Sequence, residues 1–116
     1  MIGTDLRLTV HALDLSLGRP VAGLGLILRR DGAVLARRHT NLDGRCDTPL
    51  LTGAAFAPGV YEIEFDVASW RAANTPGCDP GFYDLITIRF VANGAARHVH
   101  IPLLLSPYGY STYQGS

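Results

Sequence analysis

An all-β domain folded as a two-sheet sandwich is what this sequence predicts, and three observations carry that expectation. Apolar side chains recur at every second residue in five separate stretches, the period of a strand with one buried face. Turn-forming pairs lie between those stretches. Charged residues make up only 17% of the chain and hydrophobic ones 47%, with 13 Gly and 7 Pro, a composition suited to many short strands joined by turns. Seven to eight strands and one short helix are expected.

Taken in order, Leu6, Leu8, Val10 and Ala12 face one way while Arg7, Thr9 and His11 face the other. Leu24, Leu26 and Leu28 repeat the pattern, followed by Asp31-Gly32, a pair suited to a two-residue hairpin loop because both residues tolerate positive φ. Asp43-Gly44 and Pro58-Gly59 mark further turns. Tyr61, Ile63 and Phe65 alternate with Glu62 and Glu64. The alternation then fails: Asp66 is placed to cap a short helix over 67–73, with Trp70 laid on the core and Asn74, Pro76 and Gly77 ending it. The 75–81 stretch reads as a loop. Ile86, Ile88 and Phe90 form the next strand, Asn93-Gly94 fits a second two-residue hairpin, and Val99, Ile101 and Leu103 alternate with His98 and His100. The C-terminal stretch, with its Leu run, Pro107 and three tyrosines, is built for order and is expected to be docked.

At 116 residues the chain fits one domain, 1–116, burying about two thirds of the surface it exposes when unfolded. Ten basic residues balance ten acidic ones, so the broad positive footprint of a nucleic-acid binder is missing. Every fixed side-chain cation is an arginine, which favours directed, planar recognition over diffuse charge. No secretory signal is read at the N-terminus and no stretch approaches the ~20 apolar residues of a membrane helix. Cys46 and Cys78 lack CxxC spacing and read as reduced structural thiols. A cytoplasmic protein without membrane or nucleic-acid partners is expected.

Strand parity selects the candidate chemistry. His98 and His100 share the face of their strand that points off the core, and His11 projects likewise from the first strand. Should those strands lie in one sheet, the imidazoles would face a common surface. A solvated outer face is the plain reading. A His-x-His pair with His11 as third ligand is also a pattern that can chelate zinc, and both readings stay open at this point. His39, beside Arg37 and Arg38, reads as solvated. Arg45 projects from just after the Asp43-Gly44 turn, and Cys46 has no local base to activate it.

At these residues the sequence resembles the transthyretin-like family, and within it the hydrolase branch that opens 5-hydroxyisourate in urate catabolism. The likeness runs over 8–116 and is anchored by HALD at 11–14, GRP at 18–20, TNLDGR at 40–45 and SPYGYSTY at 106–113. It implies a transthyretin-like β-sandwich with a short helix after the fifth strand. It also implies a homotetramer, a dimer of dimers whose interface holds the sites and turns outer strand faces into channel walls. The branch's catalytic side chains map onto His11, Arg45 and His100. Its C-terminal Tyr-Arg-Gly-Ser signature maps onto Tyr113, Gln114, Gly115 and Ser116, with Tyr113 and Gln114 in substrate binding and the Ser116 carboxylate as an orienting group. Gln114 stands where that signature has Arg, and Val10 where the family commonly has a hydroxyl residue. The implied reaction is hydrolysis of a cyclic amide to 2-oxo-4-hydroxy-4-carboxy-5-ureidoimidazoline, without metal or cofactor. The carrier branch lacks these side chains, so their joint presence favours the enzyme over a non-catalytic ligand binder or a His-metal hydrolase.

Overall fold

The computed structural model describes residues 6–74 and 81–115. Nine strands and one α-helix follow one another as β1 (Arg7–Asp14), β2 (Arg19–Pro20), β3 (Gly25–Arg30), β4 (Ala33–His39), β5 (Leu51–Thr52), β6 (Gly59–Asp66), α1 (Val67–Asn74), β7 (Leu85–Ala92), β8 (His98–Ser106) and β9 (Gly109–Thr112). One sheet runs β2-β1-β8-β9 with β5 also on β1, and the other runs β4-β3-β6-β7. The expected all-β, two-sheet sandwich is the fold observed, its count raised by the two-residue pieces β2 and β5.

Alternation decides which faces meet. Leu8, Val10 and Ala12 of β1 and Val99, Ile101 and Leu103 of β8 are buried, opposite Leu26 and Leu28 of β3 and Tyr61, Ile63 and Phe65 of β6. Side chains a residue further along each strand therefore turn outward. Truncating a fully buried Leu such as Leu103 to Ala would cost about 2–5 kcal/mol. The helix forms where the alternation stops: Asp66 accepts at Oδ1 from the Ser69 N–H at 3.1 Å, the bond of an N-cap. Trp70 packs partly against the core and donates its indole N–H to the Ala22 carbonyl at 3.0 Å.

Asp31 and Gly32 have φ of 51° and 86°, the two positive values a tight hairpin between β3 and β4 requires. The second expected hairpin is corrected. Asn93-Gly94 begins a connection over 93–97 that crosses from β7 in one sheet to β8 in the other. Asn93 caps it locally by accepting the Ala95 N–H at 2.9 Å, an Asx-turn that carries the same sequence signal as a hairpin. The loop expected over 75–81 falls, apart from Gly81, outside the described residues, as does Cys78.

Candidate active site

β1 and β8 are adjacent and parallel, with Arg7 opposite His98, Thr9 opposite His100 and His11 opposite Pro102. The outward residues of both strands thus form one continuous polar patch on the outer face of the first sheet. The ring centroids of His11 and His100 lie 6.5 Å apart, and those of His98 and His100 5.9 Å apart. The Thr9 hydroxyl sits between two of the rings, 2.6 Å from His98 Nε2 and 2.8 Å from His100 Nδ1. Arg7 Nη2 lies 3.4 Å from His98 Nδ1.

Arg45 reaches this patch because the 40–45 loop is folded around Asn41. The Asn41 side-chain carbonyl accepts from the N–H groups of Asp43 (2.9 Å) and Arg45 (3.1 Å). The buried Thr40 hydroxyl anchors the loop's start by donating to the Val21 carbonyl at 2.6 Å. The loop then lies along the free edge of β1, between β2 and β5, where Arg45 bridges His11 and the Ala12 N–H donates to the Gly44 carbonyl at 2.8 Å. Gly44 has φ 75°, and a Cβ there would stand 2.3 Å from the Ala12 carbonyl oxygen, so only glycine permits this approach. His11 closes the contact from its side chain, with Nε2 2.8 Å from the Asp43 carbonyl oxygen. A cavity of about 130 Å³ opens beside the patch, lined by Thr9, Arg45, Cys46 and His98 among others.

The electrostatics favour neutral rings. Burial lowers the pKa of His100 below 6.5, and the charges of Arg45, His98 and His11 lower it further. Burial and then Arg7 do the same for His98. A neutral imidazole is the form that accepts a proton or donates one hydrogen bond at neutral pH. Cys46 is half-buried, and burial raises its thiol pKa, which suits a packed thiol rather than a nucleophile. Among the described residues, no group of three or more His, Cys, Asp or Glu side chains is placed to hold a metal ion.

The tail comes back to the site. Gly115 forms a bridge with His100, its N–H donating to the His100 carbonyl at 2.8 Å. A Cβ on Gly115 would meet His100 Cδ2 at 2.6 Å, so the chain lies directly against the imidazole. Ser116 is outside the described residues. Tyr113 and Gln114 line a different space, a cavity of about 280 Å³ beside β7 that also touches Phe90, Val91 and Ile101. The structure therefore brings His11, His100 and Arg45 together, whereas Tyr113 and Gln114 border a neighbouring hollow. Arg7, Thr9 and His98 join the patch although only parity pointed to them.

With this geometry in hand, comparison with known proteins gives a consistent result. The model of the HIUase/Transthyretin family matches residues 8–115. The chain is 51% identical over 115 residues to 5-hydroxyisourate hydrolase 2 of Rhizobium meliloti (strain 1021), covering 95% of this chain and 96% of that protein. Among solved structures it superposes on Klebsiella pneumoniae 5-hydroxyisourate hydrolase with TM-score 0.83 and 32% identity, covering 96% of this chain and 99% of that one. It also superposes on an (S)-allantoin synthase with TM-score 0.85 and 35% identity, covering 98% of this chain but only 46% of that longer one. A family match over nearly every described residue, joined to a sandwich that sets two histidines and an arginine on one sheet face, makes this chain a member of the HIUase/Transthyretin family.

Proposed function

We propose that this chain hydrolyses 5-hydroxyisourate, opening its cyclic amide to the ureidoimidazoline carboxylate in urate catabolism. The observation that carries the reading is the meeting of His11, His100 and Arg45 on one face of the β1/β8 pair. Two imidazoles with ring centroids 6.5 Å apart are close enough for both to reach one water or one substrate atom lying over the sheet face.

The chemistry follows from the partners. The Asp43 carbonyl can only accept, so the nitrogen facing it, Nε2 of His11, carries a proton. In the neutral ring the lone pair is then on Nδ1, which serves as the base toward water. Water attacks the amide carbonyl, the carbonyl oxygen gathers negative charge, and collapse breaks the C–N bond, the ring nitrogen taking a proton as the carboxylate forms. Arg45 binds the electron-rich heterocycle and stabilises that oxyanion through its fixed fork of N–H donors. Tyr113 and Gln114 border the neighbouring hollow beside β7 and not the His11–His100 face, so their part in substrate binding is to extend the site along the tail, Gln114 offering an amide donor in place of a guanidinium.

An outer sheet face excludes water only when covered. We take the working unit to be a homotetramer, a dimer of dimers with this face lining its central channel, acting in the cytoplasm as one hydrolase domain over 1–116. No described helix is long and apolar enough to cross a membrane. The test is ultraviolet: urate is oxidised freshly by urate oxidase, and decay of the intermediate is followed with and without the protein. Accelerated decay is expected. Ligand binding without acceleration would instead make the chain a non-catalytic carrier.

A further inference from the structure

We propose that Arg7, His98 and Thr9 form a one-way hydrogen-bond chain that holds His100 in the tautomer protonated on Nε2, so that His100 serves the reaction as a hydrogen-bond donor and not as its base. The catalytic consequence rests on the hydrolase reading; the tautomer itself does not.

The direction of the chain follows from what each group is able to do. A guanidinium only donates, so Arg7 Nη2 facing His98 Nδ1 at 3.4 Å requires a lone pair on that nitrogen. Neutral His98 then carries its proton on Nε2, which donates to the Thr9 oxygen at 2.6 Å. A hydroxyl has one proton. With its oxygen already accepting from His98, Thr9 donates to His100 Nδ1 at 2.8 Å. His100 Nδ1 is therefore the acceptor, and the ring's proton resides on Nε2. Reversing the direction would set an N–H of His98 against the Arg7 guanidinium, two donors with no acceptor between them.

The surroundings hold both rings neutral, as the chain needs. His98 faces Arg7, and His100 faces Arg45, His98 and His11; burial and these charges together disfavour a second proton on either ring. The backbone supports the geometry: Arg7 and His98, then Thr9 and His100, are Cα partners across parallel strands, so the four side chains form two successive rungs of one ladder. Gly115 packs against His100 Cδ2 from the tail and limits the ring's freedom to turn. The two catalytic histidines consequently differ in kind: His11 keeps its lone pair on Nδ1, and His100 offers an N–H to the substrate carbonyl or the leaving nitrogen. Arg7, His98 and Thr9 act as positioning residues.

The test is long-range ¹H–¹⁵N correlation of imidazole-labelled protein above the histidine titrations, with signals assigned through single His→Gln variants. His98 and His100 are expected to show unprotonated Nδ1 and protonated Nε2. Thr9→Ser should retain that pattern and wild-type turnover within about 3-fold, whereas Thr9→Val should mix the His100 tautomers and lower kcat about 10-fold or more with KM little changed. Arg7→Met should shift His98 toward a mixture. A protonated Nδ1 on His100 in the wild type, an unchanged His100 pattern in Thr9→Val, an unchanged His98 pattern in Arg7→Met, or equal loss of turnover in both Thr9 variants would overturn the inference. Expected tautomers in a wild-type protein without hydrolase activity would sink the hydrolase reading while leaving the chain in place.

Discussion

The outer faces of the two sheets are built by the same parity rule and carry opposite kinds of polarity. On the β4-β3-β6-β7 sheet, charges of opposite sign meet: Arg29 pairs with Glu64 at 3.0 Å, and Arg89 with its direct cross-strand neighbour Glu62 at 3.7 Å. On the β1/β8 face the polar groups are arginines and imidazoles, joined by a threonine hydroxyl and a backbone carbonyl. The first arrangement neutralises itself. The second concentrates hydrogen-bond donors and like charge, which costs stability locally and leaves capacity for an anionic or electron-rich ligand. Function is therefore assigned to the face whose polar groups do not cancel.

The sharpest way to break that contrast is to remove one group from each face. His11→Asn or His100→Asn should lower kcat by about 10²–10⁴-fold, the usual worth of positioned proton transfer. Glu62→Gln on the other face should leave kcat unchanged and alter stability by no more than about 1 kcal/mol, since that pair is exposed. Steady-state turnover and denaturant unfolding of the three variants decide the matter. A Glu62 variant as impaired as the histidine variants would erase the distinction between the faces.

A smaller effect, and a more local one, is expected where the two faces differ in how their edges are filled. β1 has a free edge patched by short segments, and Gly44 lets the 40–45 loop close it. Gly44→Ala adds a Cβ that collides with the Ala12 carbonyl at φ 75°, at a cost of about 1–3 kcal/mol. The loop must move, taking Arg45 away from His11. Loss of substrate affinity is expected to accompany the lowered unfolding free energy. Unchanged KM in a folded Gly44→Ala protein would mean that the loop does not deliver Arg45.

How far the sequence foretold this contrast depends on the range of the interaction. Local rules were enough for the Asp31-Gly32 hairpin, the Asp66 cap and the placing of Arg7, Thr9 and His11 on one face, because each depends on neighbours in the chain. Thr9 and His100 are 91 residues apart, and no periodicity announces that β1 and β8 are parallel partners. Arg45 came to the site only through the family resemblance, since its placement depends on Asn41 wiring a loop across a strand edge. β4 left little trace of its own, since only Ala36 along it is buried. Asn93-Gly94 misled because an Asx-turn and a hairpin use the same residues.

The smallest effect separates the faces by pH. In the unfolded chain a histidine takes up its proton near 6.5, whereas His98 and His100 in the fold resist it until lower pH. Between those two values the unfolded chain binds more protons than the native one, so acidification favours unfolding. The contribution of these rings is thus fully kept above 6.5 and lost progressively as pH falls toward their lowered values. Melting temperature measured from about pH 7.5 down to about pH 5 should fall less steeply in His100→Gln than in the wild type. On the opposite face, Glu64→Gln breaks the Arg29–Glu64 pair without touching an imidazole, so it should displace the curve and leave the histidine-linked slope in place. A wild-type slope retained in His100→Gln would show that this ring carries no proton linkage to folding, and the imidazole face would then differ from the ion-paired one in geometry alone.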